Sequence, residues 1–315
     1  MSKTKLRFFE RTHFTNGELQ NISKFVRESG RTLILPYDQF VEHDCRHLDA
    51  ESDAGNPNYI LQLGLEGGYN AVAIHYGLAK RYWTKYKNKI PLILKVNGKT
   101  SIPEASKPLS VYTSFVEDAA KLGAVGVGYT MYYGSPRQDE DLPQLSKVRQ
   151  ECEKYNLPLI VWAYPRGEAV DAKGGRDSSY MVESAVRMAT EMGATIIKAN
   201  VPQSAPQNYQ DIADVPSYYK KLELQLQNID AVSAVKERIK RVVTASQGIP
   251  VLFSGGSKVS DEDLLNNAQY CIQGGCFGFI FGRNMWKRPH KSALEITKKL
   301  ISLLDSPVKE FLPRE

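Results

Sequence analysis

Residues 194–201 read A-T-I-I-K-A-N-V, an apolar run of strand character that ends on Lys198 before the chain turns through Asn200 and Pro202. A lysine that closes a buried strand is unusual, because its ammonium group loses hydration there. Such a lysine is paired with a carboxylate, extends out to solvent, or stays partly neutral and acts as a nucleophile. We interpret Lys198 as an amine that forms a Schiff base with a carbonyl substrate.

The same pattern, a short apolar run followed by a segment of helical length, occurs eight times along the chain. Eight βα units favour an α/β fold closed into a (β/α)8 TIM barrel, built as a single domain. The alternative, an open doubly wound sheet with a second domain, requires a linker or a shift in composition near the middle of the chain, and we find neither. The predicted strands cover residues 32–38, 71–75, 91–96, 125–130, 158–164, 194–198, 250–254 and 277–283.

Residues 1–30 precede the first strand and are predicted to form an N-terminal extension that covers the barrel, with a helix at 18–29 on its floor. Residues 31–315 are predicted to form the barrel itself. Amphipathic patterns predict helices at 110–122, 142–155, 179–192, 262–273 and 292–304.

The composition excludes several classes of protein. The net charge of +6 comes without a dense Lys/Arg cluster interleaved with aromatic residues, so we expect no nucleic-acid partner. No stretch approaches the ~20 apolar residues that cross a bilayer, and the N-terminus has no secretory signal, so we expect no membrane association. The four cysteines form no CxxC pair and no zinc spacing, which favours reduced thiols and a cytoplasmic location.

Polar or ionisable residues close most of the predicted strands. Because the carboxyl ends of barrel strands converge on one face, these residues are expected to meet there and build an active site. Some of them are expected to be satisfied structural groups, and His75 is the first candidate for that role. The residues are Asp38, His75, Lys95, Tyr164, Lys198, Ser254 and Arg283.

The last two strands indicate a phosphate site. Strand seven runs into F-S-G-G-S at 253–257, and consecutive glycines let backbone N–H groups approach an anion. Strand eight ends in F-G-R at 281–283, which places a guanidinium beside the glycine pair. The loops after strands seven and eight are the usual phosphate site of this fold.

Strand five carries W-A-Y-P-R-G at 162–167, so Trp162 and Tyr164 point to the same side. The Tyr164 hydroxyl can transfer the protons that carbinolamine dehydration requires. Arg166 opens a loop over 166–176, rich in glycine and charge, that can close over an anionic substrate. We also expect Lys95 to add positive charge that favours a neutral Lys198 amine.

The first strand ends in Y-D-Q-F-V-E-H at 37–43, where Asp38 can orient the amine or bind a substrate hydroxyl. His43 and His47 lie one turn apart if this segment is helical, and together with nearby carboxylates they invite a metal site. We do not favour that interpretation, since no HxxxE or HxH arrangement recurs and a Schiff-base lysine already supplies the electron withdrawal. We therefore predict no metal and no cofactor.

These motifs, in this order, resemble the class I fructose-bisphosphate aldolases of the archaeal or DhnA type, in the wider DeoC/FbaB aldolase family. The resemblance covers about residues 33–283. It depends on Y-D-Q-F-V-E-H at 37–43, L-K-V-N-G-K-T at 94–100, W-A-Y-P-R-G at 162–167, I-K-A-N at 197–200, S-G-G at 254–256 and F-G-R at 281–283.

The resemblance implies roles for individual residues: Lys198 as the Schiff-base lysine, Tyr164 as the proton donor and Asp38 in contact with the substrate. It further implies reversible cleavage of fructose 1,6-bisphosphate without metal, in a large ring-based homo-oligomer, of which a decamer is one form. The predicted substrate- and phosphate-binding residues are Gln39, His43, His47, Lys95, Trp162, Arg166, Ala199, Asn200, Ser254, Gly255, Gly256, Gly282 and Arg283.

Two departures leave the sugar phosphate open. The family often has D-H-G where this chain has Asp38-Gln39-Phe40, and the segment 202–230 after the lysine strand is long. The alternatives are a related Schiff-base enzyme, of the amino-dideoxyheptulosonate synthase or autoinducer-2 phosphate thiolase type, and a barrel that binds a sugar phosphate without turnover. The pair of Lys198 and Tyr164 argues against the last of these.

Overall fold

A closed barrel of eight parallel strands forms the centre of the molecule, in the computed structural model that describes residues 3–10, 14–42, 53–255, 260–307 and 311. The strand order follows the chain, since each barrel strand pairs with the next one along the sequence and the last closes on the first. The predicted single-domain (β/α)8 barrel is therefore confirmed.

Ten strands are present in the described part of the chain. A hairpin of β4 and β5 stands apart from the barrel, after the third barrel strand. The strands are β1 (Thr32–Tyr37), β2 (Ala71–His75), β3 (Leu92–Lys95), β4 (Asn97–Gly98), β5 (Val111–Tyr112), β6 (Gly126–Tyr133), β7 (Leu159–Pro165), β8 (Ile196–Asn200), β9 (Val251–Ser254) and β10 (Gly278–Ile280).

Helices alternate with these strands. They are α1 (Asn16–Ser23), α2 (Gln39–Glu42), α3 (Pro57–Glu66), α4 (Tyr76–Arg81), α5 (Val116–Leu122), α6 (Gln138–Tyr155), α7 (Glu168–Asp171), α8 (Ser179–Glu191), α9 (Ser217–Gln227), α10 (Ala231–Ala245), α11 (Asp261–Gln273), α12 (Arg283–Trp286) and α13 (His290–Asp305). Short 3-10 helices cover Lys3–Phe9, Trp83–Tyr86 and Gln207–Asp211. No helix among the described residues is long and apolar enough to cross a membrane.

Alternate residues of each strand point into the barrel, and this alternation places the site residues. In β1, Leu33 and Leu35 pack in the apolar cluster shared with the surrounding helices, whereas Ile34 packs in the interior cluster. Trp162 of β7 and Ile196 of β8 also belong to the interior cluster. Side chains two residues further along each strand point inward at the carboxyl ends of the strands.

The N-terminal segment packs against the opposite end of the barrel, where the strands begin. Phe8 and Phe9 make edge-on ring contacts with Phe277, which directly precedes β10, at centroid distances of 5.5 and 5.2 Å. Ile22 and Phe25 are fully buried in the interior cluster. The helix predicted over 18–29 is shorter and earlier, because Thr15 caps it through a capping box and the chain turns after Ser23. The domain boundary near residue 30 stays a prediction.

The long segment after β8 folds into its own short helices against the barrel wall. Glu223 of α9 and Arg238 of α10 form a buried ion pair at 2.6 Å, and both side chains are almost wholly inaccessible. Glu223 also accepts from the Ser179 hydroxyl at the start of α8, at 3.0 Å, and from the backbone N–H of Ala205, at 3.4 Å. Breaking a buried pair of this kind leaves an uncompensated charge, so these contacts hold α9 against α8 and α10.

Candidate active site

A cavity opens at the carboxyl ends of the barrel strands, where inward-pointing side chains line it. It is bounded by residues of β1, β7, β8, β9 and β10 and of the loops that follow them. The predicted site residues that line it are Asp38, Trp162, Tyr164, Arg166, Lys198, Asn200, Ser254, Gly255, Gly282 and Arg283.

The remaining predicted residues fall into two groups: some do not line this cavity, and others lie outside the described part of the chain. Lys95 is fully buried, and Ala199 packs in the outer apolar cluster, so neither side chain lines the cavity. The backbone of Gln39 begins α2. His43, His47 and Gly256 fall among residues that the structure does not describe.

Lys198 is the amine of this cavity. Its side chain is only 6% exposed, and its Nζ makes no hydrogen bond or ion pair to the described residues. The Nζ lies 5.0 Å from the centre of the Trp162 ring and 5.3 Å from that of Tyr164. Burial disfavours the charged form and lowers the pKa of Lys198 to about 8, so a useful fraction of the amine is neutral at physiological pH.

Charges around Lys198 act in opposite directions on that pKa. After burial, the largest influence is the negative charge of Asp38, followed by that of Glu42, and both raise the pKa of Lys198. Arg283 and Arg166 lower it. The two carboxylates thus keep the amine from becoming fully neutral, and the two guanidiniums oppose them.

An Asp38→Asn variant is expected to shift the pH dependence of Lys198 reactivity to lower pH. Removing the carboxylate charge withdraws the largest influence that raises the pKa of Lys198, so more of the amine is neutral at pH 7. Reductive methylation of Lys198 with formaldehyde and borohydride, measured by mass spectrometry across pH, should become severalfold faster at pH 7. Glu42→Gln should shift the profile in the same direction by less. A profile that moves to higher pH in Asp38→Asn contradicts this electrostatic assignment.

Tyr164 supplies a protonated phenol beside the amine. Burial, reinforced by the charge of Asp38, raises the pKa of Tyr164 far above its ordinary value, so the hydroxyl keeps its proton at neutral pH. The Arg166 guanidinium lies over the Tyr164 ring at 4.9 Å. That contact fixes the ring and places positive charge where a phenolate would develop.

Lys95 occupies a different place from the one we expected. Its Nζ donates to Glu42 Oε1 at 2.5 Å, to Thr130 Oγ1 at 2.7 Å and to the backbone oxygen of Asn97 at 3.0 Å. The ammonium is thereby fully paired, and it lies 5.1 Å from the centre of the Trp162 ring, which the Lys198 amine also approaches. The cations that lower the pKa of Lys198 are Arg283 and Arg166, and the expectation that Lys95 does so is corrected.

His75 is buried, and its Nδ1 lies 3.1 Å from the Thr113 hydroxyl. Burial lowers the pKa of His75 to about 4, so the ring is neutral at physiological pH. It does not line the cavity with Lys198, and among the described residues its Nε2 has no hydrogen-bond partner, so the expectation of a fully satisfied structural group is not confirmed.

Two glycines allow the loops after β9 and β10 to close around one end of the cavity. A Cβ on Gly255 would lie 2.8 Å from Asn284 Nδ2, whose amide donates to the backbone oxygen of Gly255 at 3.0 Å. A Cβ on Gly282 would lie 3.2 Å from the backbone oxygen of Pro36. A side chain at Gly255 would displace the Asn284 amide, and one at Gly282 would be tight against Pro36, so backbone approaches the cavity closely here, beside Arg283.

The loop at 166–176 packs against the segment that follows β8. Gly174 has φ +96°, and a Cβ there would lie 2.2 Å from the Tyr209 ring. Lys173 and Asp214 form an ion pair at 2.5 Å. The long segment therefore supports the arginine-bearing loop from outside the barrel.

The sequence did not point to every residue of the site. Glu42, Asn284 and Trp286 line the cavity as well. Glu42 lies within the Y-D-Q-F-V-E-H motif and Asn284 directly follows F-G-R, so their place beside recognised motifs was the available signal. Trp286 belongs to the short helix α12 and donates from Nε1 to the backbone oxygen of Pro36 at 3.2 Å.

The barrel holds a buried lysine beside a tyrosine, and glycines and an arginine close one end of its cavity. This is the architecture of a Schiff-base aldolase. The chain belongs to the DeoC/LacD family of aldolases, whose family model matches residues 32–288. The resemblance to class I fructose-bisphosphate aldolases is thereby confirmed.

Individual relatives agree with this assignment. The class 1 fructose-bisphosphate aldolase of Thermoproteus tenax is 33% identical over 285 residues, which are 89% of this chain and 93% of that protein. A Methanocaldococcus jannaschii protein named fructose-bisphosphate aldolase/6-deoxy-5-ketofructose 1-phosphate synthase is 27% identical over 295 residues, or 90% of this chain and 85% of that protein.

Solved structures give the same result. An archaeal fructose-1,6-bisphosphate aldolase, with its catalytic lysine covalently bound to the carbinolamine intermediate of the substrate, is 30% identical with a TM-score of 0.75. The match covers 92% of this chain and 99% of that one.

Proposed function

We propose that this chain is a class I aldolase that reversibly cleaves fructose 1,6-bisphosphate to dihydroxyacetone phosphate and glyceraldehyde 3-phosphate. The observation that carries the proposal is the buried amine of Lys198, whose pKa is lowered to about 8 beside a protonated Tyr164. Relatives that bear the name of this activity cover most of the chain.

Lys198 is the proposed nucleophile. Its neutral amine attacks the ketone carbon of the substrate and forms a carbinolamine. Tyr164 donates a proton to the carbinolamine hydroxyl, which leaves as water, and the nitrogen lone pair forms the iminium. Tyr164, left as a phenolate by this step, takes the proton of the C4 hydroxyl, whose oxygen becomes the carbonyl of the departing aldehyde. The electron pair of the C3–C4 bond moves to the iminium, and an enamine remains on Lys198.

The charged groups of the cavity are proposed to position the substrate for this step. The loops at Gly255 and Gly282, with Arg283, hold the phosphate nearest the ketone and so fix the carbonyl against the amine. Asp38 contacts a substrate hydroxyl, and Trp162 and Arg166 complete the walls beside Tyr164. His43, His47 and Gly256 remain predicted substrate-binding residues outside the described part of the chain.

A related Schiff-base reaction on another phosphorylated ketose is the second candidate. The observation that favours it is the departure at Asp38-Gln39-Phe40, together with the dual name of the Methanocaldococcus jannaschii relative. The same lysine and tyrosine serve both candidates, so only the substrate separates them.

Cleavage of a panel of phosphorylated ketoses, with and without a chelator, tests the proposal. We expect turnover of fructose 1,6-bisphosphate, unchanged by the chelator, because the iminium rather than a metal accepts the electrons. Borohydride added with dihydroxyacetone phosphate should leave a mass increase on Lys198. Turnover confined to another ketose selects the second candidate, and the absence of any trapped adduct contradicts both.

Two further expectations remain proposals. We propose a homo-oligomer of the ring-based type, of which a decamer is one form, and a cytoplasmic location. Both follow from the resemblance and the composition rather than from contacts in the structure.

A further inference from the structure

A hydrogen-bond chain joins the loop that carries Arg166 to the loop that carries the phosphate end of the cavity. Asn200 Nδ2 donates to Asp177 Oδ1 at 2.9 Å, and Ser254 Oγ donates to Asn200 Oδ1 at 2.5 Å. Asn200 and Ser254 are paired across neighbouring strands β8 and β9. Asp177 directly precedes the residue that caps α8.

The carboxylate at one end fixes the direction of every bond in this chain. An ionised carboxylate can only accept, so the Asn200 amide must turn its NH2 group toward Asp177. Its oxygen then faces Ser254, and an amide oxygen can only accept. The single hydroxyl proton of Ser254 is therefore directed at Asn200.

The surroundings of Asp177 hold this carboxylate in place. Arg176 Nε lies 3.9 Å from Asp177 Oδ2. The backbone oxygen of Asp177 accepts from the backbone N–H of Gln203 at 2.7 Å, which ties the residue to the segment after β8. The N-terminus of α8, a helix of 13 residues, adds positive potential nearby.

We propose that Asp177 is a positioning residue that sets the polarity of Ser254, so that Ser254 presents only lone pairs to the substrate cavity. The inference rests on the proposed aldolase function and deepens its phosphate site. The side chain of Ser254 then acts as an acceptor for a substrate hydroxyl. The phosphate is held by N–H donors, namely the backbone at Gly255 and the Arg283 guanidinium.

The proposal revises the role expected for the Ser254 side chain. A hydroxyl that donates to a phosphate stabilises it by about 1.5–3 kcal/mol, which corresponds to roughly 10- to 150-fold in affinity. A hydroxyl whose proton is already directed elsewhere offers only lone pairs to the anion. Losing it therefore costs little phosphate affinity for as long as Asp177 is ionised.

The test compares Ser254→Ala in two backgrounds. Binding of inorganic phosphate, measured by calorimetry at pH 7.5, should change less than about twofold between the wild-type enzyme and Ser254→Ala. An Asp177→Asn variant frees the Asn200 amide to turn, because an amide at 177 can donate as well as accept. Ser254 can then donate to the anion, so Ser254→Ala in the Asp177→Asn background should weaken phosphate binding by about fivefold or more.

The comparison separates polarity from simple charge. Asp177→Asn also removes a negative charge near the anion, which by itself should strengthen phosphate binding. This gain is present in Asp177→Asn with and without Ser254→Ala, so it cancels when those two variants are compared. The remaining difference is the contribution of the Ser254 hydroxyl. An equal effect of Ser254→Ala in both backgrounds overturns the proposal, as does a tenfold loss in the wild-type background. Calorimetry needs no turnover, so failure of the aldolase proposal appears separately, in the ketose panel.

Discussion

A Lys198→Met variant is expected to lose the trapped borohydride adduct and to lower the rate of aldol cleavage by about 10⁴-fold or more. Methionine fills a similar volume but has no amine, so the covalent route through the iminium is closed. No other lysine of the described residues lines the cavity. The measurements are the rate of cleavage and the mass of the protein after reduction with dihydroxyacetone phosphate. Cleavage that continues at the original rate contradicts the assignment of Lys198.

The same variant is expected to be more stable than the wild-type protein at pH 7. The pKa of Lys198 falls from the ordinary 10.5 to about 8 on folding, so below pH 8 the folded protein holds a buried ammonium that the unfolded chain would hydrate. This penalty amounts to about 3 kcal/mol and is relieved as pH rises from 8 to 10.5. Urea unfolding should show the advantage of Lys198→Met at pH 7 and its loss near pH 10.5.

Lys95→Met is the matched control, because the Nζ atoms of Lys95 and Lys198 lie at similar distances from the centre of the Trp162 ring, 5.1 and 5.0 Å. Lys95 is paired with Glu42, so its removal leaves a buried carboxylate without a partner. We expect Lys95→Met to destabilise the protein by about 3–5 kcal/mol, the opposite sign from Lys198→Met. The folded fraction should still trap its adduct on Lys198. An adduct lost equally from both variants contradicts the distinction between the two lysines.

The barrel could be predicted from the sequence because its strands are apolar runs and the segments between them have apolar residues at helical spacing. Both are local properties of the chain. All eight predicted strands are present, with their ends displaced by a few residues, as at β8, which starts at Ile196 and ends at Asn200. Helix α10 was not predicted, since α9 and α10 follow one another without an intervening strand and break the βα rhythm. The α9 packing depends on the pair Glu223–Arg238, which forms only in the folded state.

The candidate site was predictable where a residue lies at the end of a strand and the alternation of side chains points it into the barrel. Lys198, Tyr164 and Ser254 point inward because Ile196, Trp162 and Leu252 do, two positions earlier. The sequence analysis assigned the nucleophile to Lys198, but it could not show that Lys95, the other inward lysine, is fully paired. What distinguishes them is the contact of Lys95 with Glu42 and Thr130, which are distant from it along the chain.

Tyr164→Phe is expected to lower kcat by about 10²- to 10⁴-fold and to change KM little. The phenol is the protonated group beside Lys198, and its ring centre lies 5.3 Å from the amine. Phenylalanine keeps the ring and the Arg166 contact but cannot protonate the carbinolamine hydroxyl, so dehydration should become the slow step. Acid quench followed by mass spectrometry should show carbinolamine accumulating on Lys198, with slower borohydride trapping.

Tyr132→Phe distinguishes this chemistry from the general loss of a buried hydroxyl. Tyr132 lies on β6 directly opposite Tyr164 in the strand register and is buried, but it does not line the cavity. The same substitution there removes a phenol from the same layer of the barrel without removing a proton donor from the amine. We expect its kcat to stay within a fewfold of the wild-type value. Equal losses in both variants would mean that the hydroxyls act through packing, and proton transfer would then have to come from another group beside Lys198.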